Sequence, residues 1–162
     1  YEHLNHQRKV FGFDVFGGVA NPSESDMTGS SLEQYKEGSM RLDSYDDILK
    51  SIEVFDTNRF LASEEKVFLI KGFAEKTIPK FLDEYPETIV SLLYLDVNLY
   101  EPTKAALEKF YPRMPKGSVI VFDELNDRGL PGETLALLDT IGVNNLAIKR
   151  FTHDTKISYV VL

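Results

Sequence analysis

The 162-residue chain contains no cysteine. That excludes disulfides, thiolate nucleophiles and cysteine-ligated zinc, while leaving the compartment only weakly constrained. Histidine is scarce as well: His3, His6 and His153 match no zinc-binding spacing and read as surface or loop residues. No apolar run approaches the roughly 20 residues of a membrane helix, and no basic segment leads into an apolar one near Tyr1. A protein with no membrane partner and a cytoplasmic location is therefore expected. A basic stripe is also missing. The formal net charge is -8, with acids scattered among lysines and arginines, so the field repels nucleic acid and favours a neutral or cationic substrate, or one held through a cation. Tyr94, Tyr100, Phe110 and Tyr111 accordingly read as core and rim packing rather than a base-stacking platform. No Gly-x-x-x-x-Gly-Lys-[Ser/Thr] occurs, which removes a phosphate-binding NTPase module. Internal repeats and low-complexity segments are absent too.

What remains is 43% hydrophobic, enough to bury the core of one α/β unit spanning residues 1–162. Val10 to Phe13 is a short apolar run ending in Asp14 and Gly17-Gly18, the pattern of a buried strand leaving into a loop. Ala20 to Met40 has no sustained period and reads as a long loop, a length that usually carries function or mobility. Tyr45 to Phe55 is helical in spacing, with Asp43-Ser44 placed to cap it. Val67 to Ile70 reads as a second strand ended by Gly72, and Thr77 to Tyr85 as a helix stopped by Pro86. Ile89 to Leu95 is a continuous apolar run ending in Asp96, as in a central strand. A helix opened by Pro102 runs to Phe110, and Val119 to Phe122 is a strand ending in Asp123-Glu124. Glu133 to Ile141 follows as a helix with Leu135, Leu138 and Ile141 in register, ended by Gly142. Leu146 to Phe151 and Ile157 to Leu162 read as a closing antiparallel pair. This alternation implies a largely parallel, doubly wound sheet with ligands at the carboxyl ends of its strands.

Three of those ends carry acids: Asp14, Asp96 and the pair Asp123-Glu124. Taken singly, each reads equally well as a helix cap or a solvated loop residue. Taken together, Asp96 with Asn98 and Asp123 with Glu124 come from neighbouring strands and offer several oxygens to one point, which suits a hard cation such as Mg2+. Asp14, ending the second strand of a nucleotide-binding sheet, is placed to accept hydrogen bonds from ribose hydroxyls.

Three strings carry a family resemblance. Gly12-Phe13-Asp14-Val15-Phe16-Gly17-Gly18, the decapeptide Leu95-Asp96-Val97-Asn98-Leu99-Tyr100-Glu101-Pro102-Thr103-Lys104, and Gly117-Ser118-Val119-Ile120-Val121-Phe122-Asp123-Glu124 resemble signatures of the macrocin O-methyltransferase family. Pro131-Gly132-Glu133 matches a segment found in some members, and the likeness is strongest to enediyne-antibiotic rhamnosyl O-methyltransferases. The resemblance implies a Rossmann-like class I methyltransferase sheet, S-adenosylmethionine as methyl donor, and a Mg2+-type ion orienting a sugar or glycoside acceptor. It makes Asp96, Asp123 and Glu124 the metal-ligand candidates. Asp14 and Phe16, with Gly72 and Phe73, become the cofactor contacts, glycine permitting close approach and the ring a stacking face. An oligomer is the leaning that the family gives.

Two departures matter. The second acid of the strand-four signature, the proposed base in many members, is Asn98 here, and an amide is no useful proton acceptor at neutral pH. The catalytic positions are thus Asp96 and a substituted Asn98. The Gly-rich turn after a first strand is also missing, so an N-terminally incomplete domain lacking about 50 or more residues is expected from the size of a βαβ unit. Two rival readings stay open: a cephalosporin-hydroxylase-like protein with the same sheet and acids, and a catalytically silent member that binds cofactor or a partner as a scaffold.

Overall fold

Apolar runs that end in an acid or a glycine become the strands of the computed structural model, which describes residues 5–28 and 36–162. His3 and part of the Ala20 to Met40 loop lie outside the described residues. Strand β1 (Val10–Asp14) pairs in parallel with β2 (Val67–Lys71), Val10 opposite Val67. Strand β3 (Leu92–Leu95) pairs in parallel with β4 (Val119–Phe122), Leu92 opposite Val119. Parallel neighbours need a crossover. Helix α1 (Tyr45–Thr57) lies in the first crossover and α3 (Tyr100–Phe110) in the second, while α2 (Ala74–Glu84) leads from β2 to β3. Helix α4 (Gly132–Asp139) then precedes β5 (Lys149–Arg150) and β6 (Ser158–Val161), which pair antiparallel with each other. Strand β6 also lies antiparallel to β4, so the larger sheet has the order β3-β4-β6-β5.

The sheet comes in two parts. Among the described residues no strand bridges β1 and β3, and the parts are joined by side chains instead. Phe11 and Phe13 of β1 meet Phe81 of α2 at 4.6 and 5.4 Å between ring centroids, and Phe13 also meets Phe110 of α3 at 5.8 Å. Edge-on and tilted rings at these separations attract beyond their area of contact.

Alternation along β3 decides which face is covered. Leu93 and Leu95 turn into the core with Ile120, Phe122 and Val160, packed with Ile78, Phe81, Leu107 and Phe110 of α2 and α3. Leu92 and Tyr94 point the other way and are 59% and 50% exposed. The continuous apolar run expected to be a strand buried on both faces is therefore shorter and one-sided: Ile89 is exposed and precedes the strand. Each side chain fully buried here contributes about 1.5–3 kcal/mol, and Leu107, Ile120 and Phe122 are wholly removed from solvent.

Three further expectations are corrected. Ser44 occupies the cap position of α1 but its hydroxyl makes no capping bond. Helix α2 starts at Ala74, three residues before the expected Thr77, and carries Pro79 inside it. In α4 the inward face is Glu133, Ala136 and Leu137, whereas Leu138 is half exposed. Glu133 has partners inside that outweigh the apolar spacing the sequence presents.

Candidate active site

The carboxyl ends of β1, β2 and β3 open into one pocket of about 250 Å³. Six residues singled out from the sequence line it: Asp14, Phe16, Gly72, Phe73, Asp96 and Asn98. The pocket exists because parallel strands all deliver their following loops to the same edge.

At the end of β1 the Asp14 carboxylate folds back and accepts the backbone N–H of Phe16 at 2.5 Å. That bond holds Phe16 at a φ of 51°, a left-handed conformation that a bulky residue rarely adopts, with its ring edge-on to Tyr45 of α1 at 4.8 Å. At the end of β2, Gly72 has a φ of 142° and donates its N–H to the Asp14 carbonyl at 2.8 Å. A Cβ there would stand 2.9 Å from Cγ2 of Thr77, so glycine is required twice over. Phe73 follows at the mouth of the pocket, 37% exposed, with the Lys76 ammonium 5.0 Å from its ring centre.

At the end of β3, Asp96 opens to solvent, and no hydrogen bond or ion pair joins it to another described residue. Its carboxyl is pushed above the usual carboxylate range by partial burial, then by the charges of Asp123 and Asp14. Asn98 sits two residues on, at the centre of a tight turn in which Leu99 N–H reaches the Val97 carbonyl at 2.7 Å. Its φ of 58° is one that asparagine tolerates better than most residues. The side-chain Oδ1 is buried without a donor.

Asp123 and Glu124 do not line the pocket. They lie beside it in the turn after β4. Asp123 reaches Asp96 through its field and accepts a long hydrogen bond from the Tyr94 hydroxyl at 3.4 Å. Glu124 is 6% exposed; its Oε1 pairs with Lys156 Nζ at 2.8 Å and its Oε2 has no donor. Burial raises its proton affinity, and Lys156 opposes that. Among the described residues no group of three or more His, Cys, Asp or Glu is arranged to hold a metal ion. His6 and His153 are exposed, as expected.

Sequence reasoning missed two residues. Glu133, completely buried, accepts the Glu124 backbone N–H at 3.1 Å. Burial first, then Asp123, Glu124 and Asp96, push its carboxyl up to about 8, against that one hydrogen bond. A Pro-Gly-Glu string at a helix start was its only sequence signal. Asp26, in the long loop, accepts the Tyr100 N–H at 2.7 Å and so caps α3 from 74 residues away, which no local pattern reveals.

The comparisons agree with this geometry. A family model described as macrocin-O-methyltransferase (TylF) matches residues 2–133. The solved structure of CalS11, calicheamicin methyltransferase, is 30% identical, with a TM-score of 0.89 over 99% of this chain and 63% of that one. The apo structure of CalS11, described as a TDP-rhamnose 3'-O-methyltransferase in calicheamicin biosynthesis, is matched at 28% identity and a TM-score of 0.78 over 99% and 61%. The O-methyltransferase NovP shares the fold at 21% identity and a TM-score of 0.70 over 96% and 60%. The chain thus spans a little over three fifths of the CalS11 chains it matches. No curated protein sequence matches it. With a family match over most of its length and the Rossmann-like class I methyltransferase fold, this chain belongs to the macrocin O-methyltransferase family.

Proposed function

We propose that this chain is part of an enzyme that transfers the methyl group of S-adenosylmethionine to a hydroxyl of a sugar or glycosylated natural product, with a divalent cation assisting. The observation that carries the reading is the convergence of Asp14, Phe16, Gly72, Phe73, Asp96 and Asn98 on one pocket. An acid at the end of β1, a glycine without a side chain and an exposed ring beside it suit a ribose and an adenine.

The donor chemistry suits a hard divalent cation, although among the described residues the three carboxylates are not drawn together around one point. Asp96 and Asp123 repel each other with no cation paired to either among the described residues, and Glu124 keeps one buried oxygen without a donor. Asp96, Asp123 and Glu124 would hold the ion, which supplies charge that lowers the pKa of a bound hydroxyl. The chain's own residues then do the rest. Methyl transfer forms an O–C bond and breaks the S–C bond, so the acceptor oxygen must be aligned and must lose its proton. Asp96, at the end of β3 in the pocket, is the carboxylate placed to take that proton, and the Asn98 amide beside it orients the acceptor. A cytoplasmic site of action and a small-molecule glycoside acceptor belong to the same reading, since the methyl donor is made inside cells. No helix among the described residues is long and apolar enough to cross a membrane.

Calorimetric titration of the full-length protein with S-adenosylhomocysteine, with and without Mg2+, tests this. Micromolar binding, and a Mg2+ heat abolished by Asp96→Ala with Asp123→Ala, is the expected result; absence of both heats overturns it. Asn98 favours a second reading, a silent member that keeps the cofactor site, and binding of S-adenosylhomocysteine without methyl transfer to any glycoside acceptor would establish it.

A further inference from the structure

The two loops that carry the acids come from different strands, and something must fix the distance between them. The first turn of α4 touches both. On one side Gly132 packs so closely that a Cβ would stand 2.8 Å from the Asn98 carbonyl oxygen, 2.7 Å from the Tyr100 nitrogen and 2.5 Å from Asp26 Oδ1. On the other side the next two residues accept hydrogen bonds from the turn after β4. Glu133 Oε2 takes the Glu124 N–H at 3.1 Å, and Thr134 Oγ1 takes the Asn126 N–H at 2.7 Å. Asn126 stands at a φ of 65°, a left-handed turn position that asparagine tolerates, and its N–H is committed to Thr134. Glu133 is completely buried and its Oε1 has no donor, an arrangement costly to keep unless it serves the neighbouring loop.

We propose that Gly132-Glu133-Thr134 is a bracket that sets the Asp123-Glu124 turn against the Asp96-Asn98 loop, with Glu133 as the positioning residue for Glu124. Glu133 touches no substrate in this role. It acts through the backbone of Glu124, as outer-shell partners of metal ligands do. The inference rests on the proposed cation site for its functional consequence, and on hydrogen bonds alone for its structural one.

The test compares Glu133→Gln, which keeps an acceptor oxygen, with Glu133→Leu, which removes it. Mn2+ is the probe, its binding followed by electron paramagnetic resonance on the full-length protein, and amide exchange at Glu124 and Asn126 is followed by nuclear magnetic resonance. Glu133→Leu is expected to weaken Mn2+ binding about 10–100-fold and to speed exchange at Glu124, with affinity for S-adenosylhomocysteine unchanged. Glu133→Gln is expected to restore both. Wild-type Mn2+ affinity and unchanged Glu124 exchange in Glu133→Leu overturn the bracket. If the wild type binds no Mn2+, the cation reading fails by itself, and the exchange data still decide whether Glu133 holds the turn. Should Glu133→Leu not fold, Thr134→Val reads the same bracket through Asn126, whose exchange must then rise.

Discussion

Asp26 and Tyr100 are joined by a 2.7 Å hydrogen bond in which a carboxylate of the long loop accepts the first free N–H of α3. The other carboxylate oxygen accepts the Ser23 N–H and hydroxyl at 2.7 and 2.6 Å, so Asp26 knots its own loop and fastens it to the pocket wall at once. Gly132 leaves room for it. The charge also suits the positive end of the helix. Asp26→Ala should cost about 0.5–2 kcal/mol, the range for losing a helix cap, measured by denaturant unfolding. It should also speed proteolysis in residues 20–40, because this bond ties the loop to α3. An unchanged cleavage rate would mean that the loop is held elsewhere.

That bond marks the limit of what the sequence makes legible. The strand ends were readable because a buried parallel strand is a short apolar run, and its stop places the next residue at the ligand-binding edge. Asp14, Asp96 and Asn98 were found that way and do line one pocket. Partners distant in sequence were not readable. Asp26 with Tyr100, Lys156 with Glu124 and Glu133 with the Glu124 amide depend on which loops fold against each other. The helical period misled at α4 for the same reason: Leu135 and Leu138 keep apolar spacing, yet Glu133 turns inward where the β4 turn offers a donor.

Glu133 carries a pH prediction. Its carboxyl rises from 4.5 to about 8 on folding, so the native state holds a proton that the unfolded chain releases. Its contribution to stability is fully present below about pH 4.5 and is lost as pH rises through about 8. Asp96 and Glu124 are raised too and act with the same sign. Chelator-treated wild type should therefore lose a few kcal/mol between these limits, on the order of 1.4 kcal/mol for each pH unit crossed. Glu133→Gln should flatten that slope and melt higher than wild type at pH 8. Parallel melting curves for the two proteins would show Glu133 ionised in the native state.

Asn98→Asp puts a carboxylate where the pocket now has an amide. Aspartate shares asparagine's tolerance of the φ of 58°, so the turn should survive. If the acceptor hydroxyl approaches this residue, a second proton acceptor should raise methyl transfer, and general-base contributions of about 10²–10⁴-fold bound the gain. Without a divalent cation the new charge faces Asp96 and should push that carboxyl further up. Rates measured with a glycoside acceptor, with Mg2+ and with chelator, check both halves; equal rates for variant and wild type would place the acceptor away from Asn98.

Gly72 tests the cofactor side of the pocket. Alanine there meets two separate penalties: a φ of 142° that a side chain rarely adopts, and a Cβ 2.9 Å from Thr77 Cγ2. Strained backbone of this kind costs about 1–3 kcal/mol. The contact can be relieved independently, because Thr77→Ser removes Cγ2 but keeps the hydroxyl that bonds the Phe73 carbonyl at 3.1 Å. Gly72→Ala should lower stability and weaken S-adenosylhomocysteine binding, since the loop carrying Phe73 must shift. Adding Thr77→Ser should recover the part owed to crowding and leave the part owed to φ. Full recovery in the double variant would mean that the backbone relaxes to a negative φ, and that glycine is needed at this position for space alone.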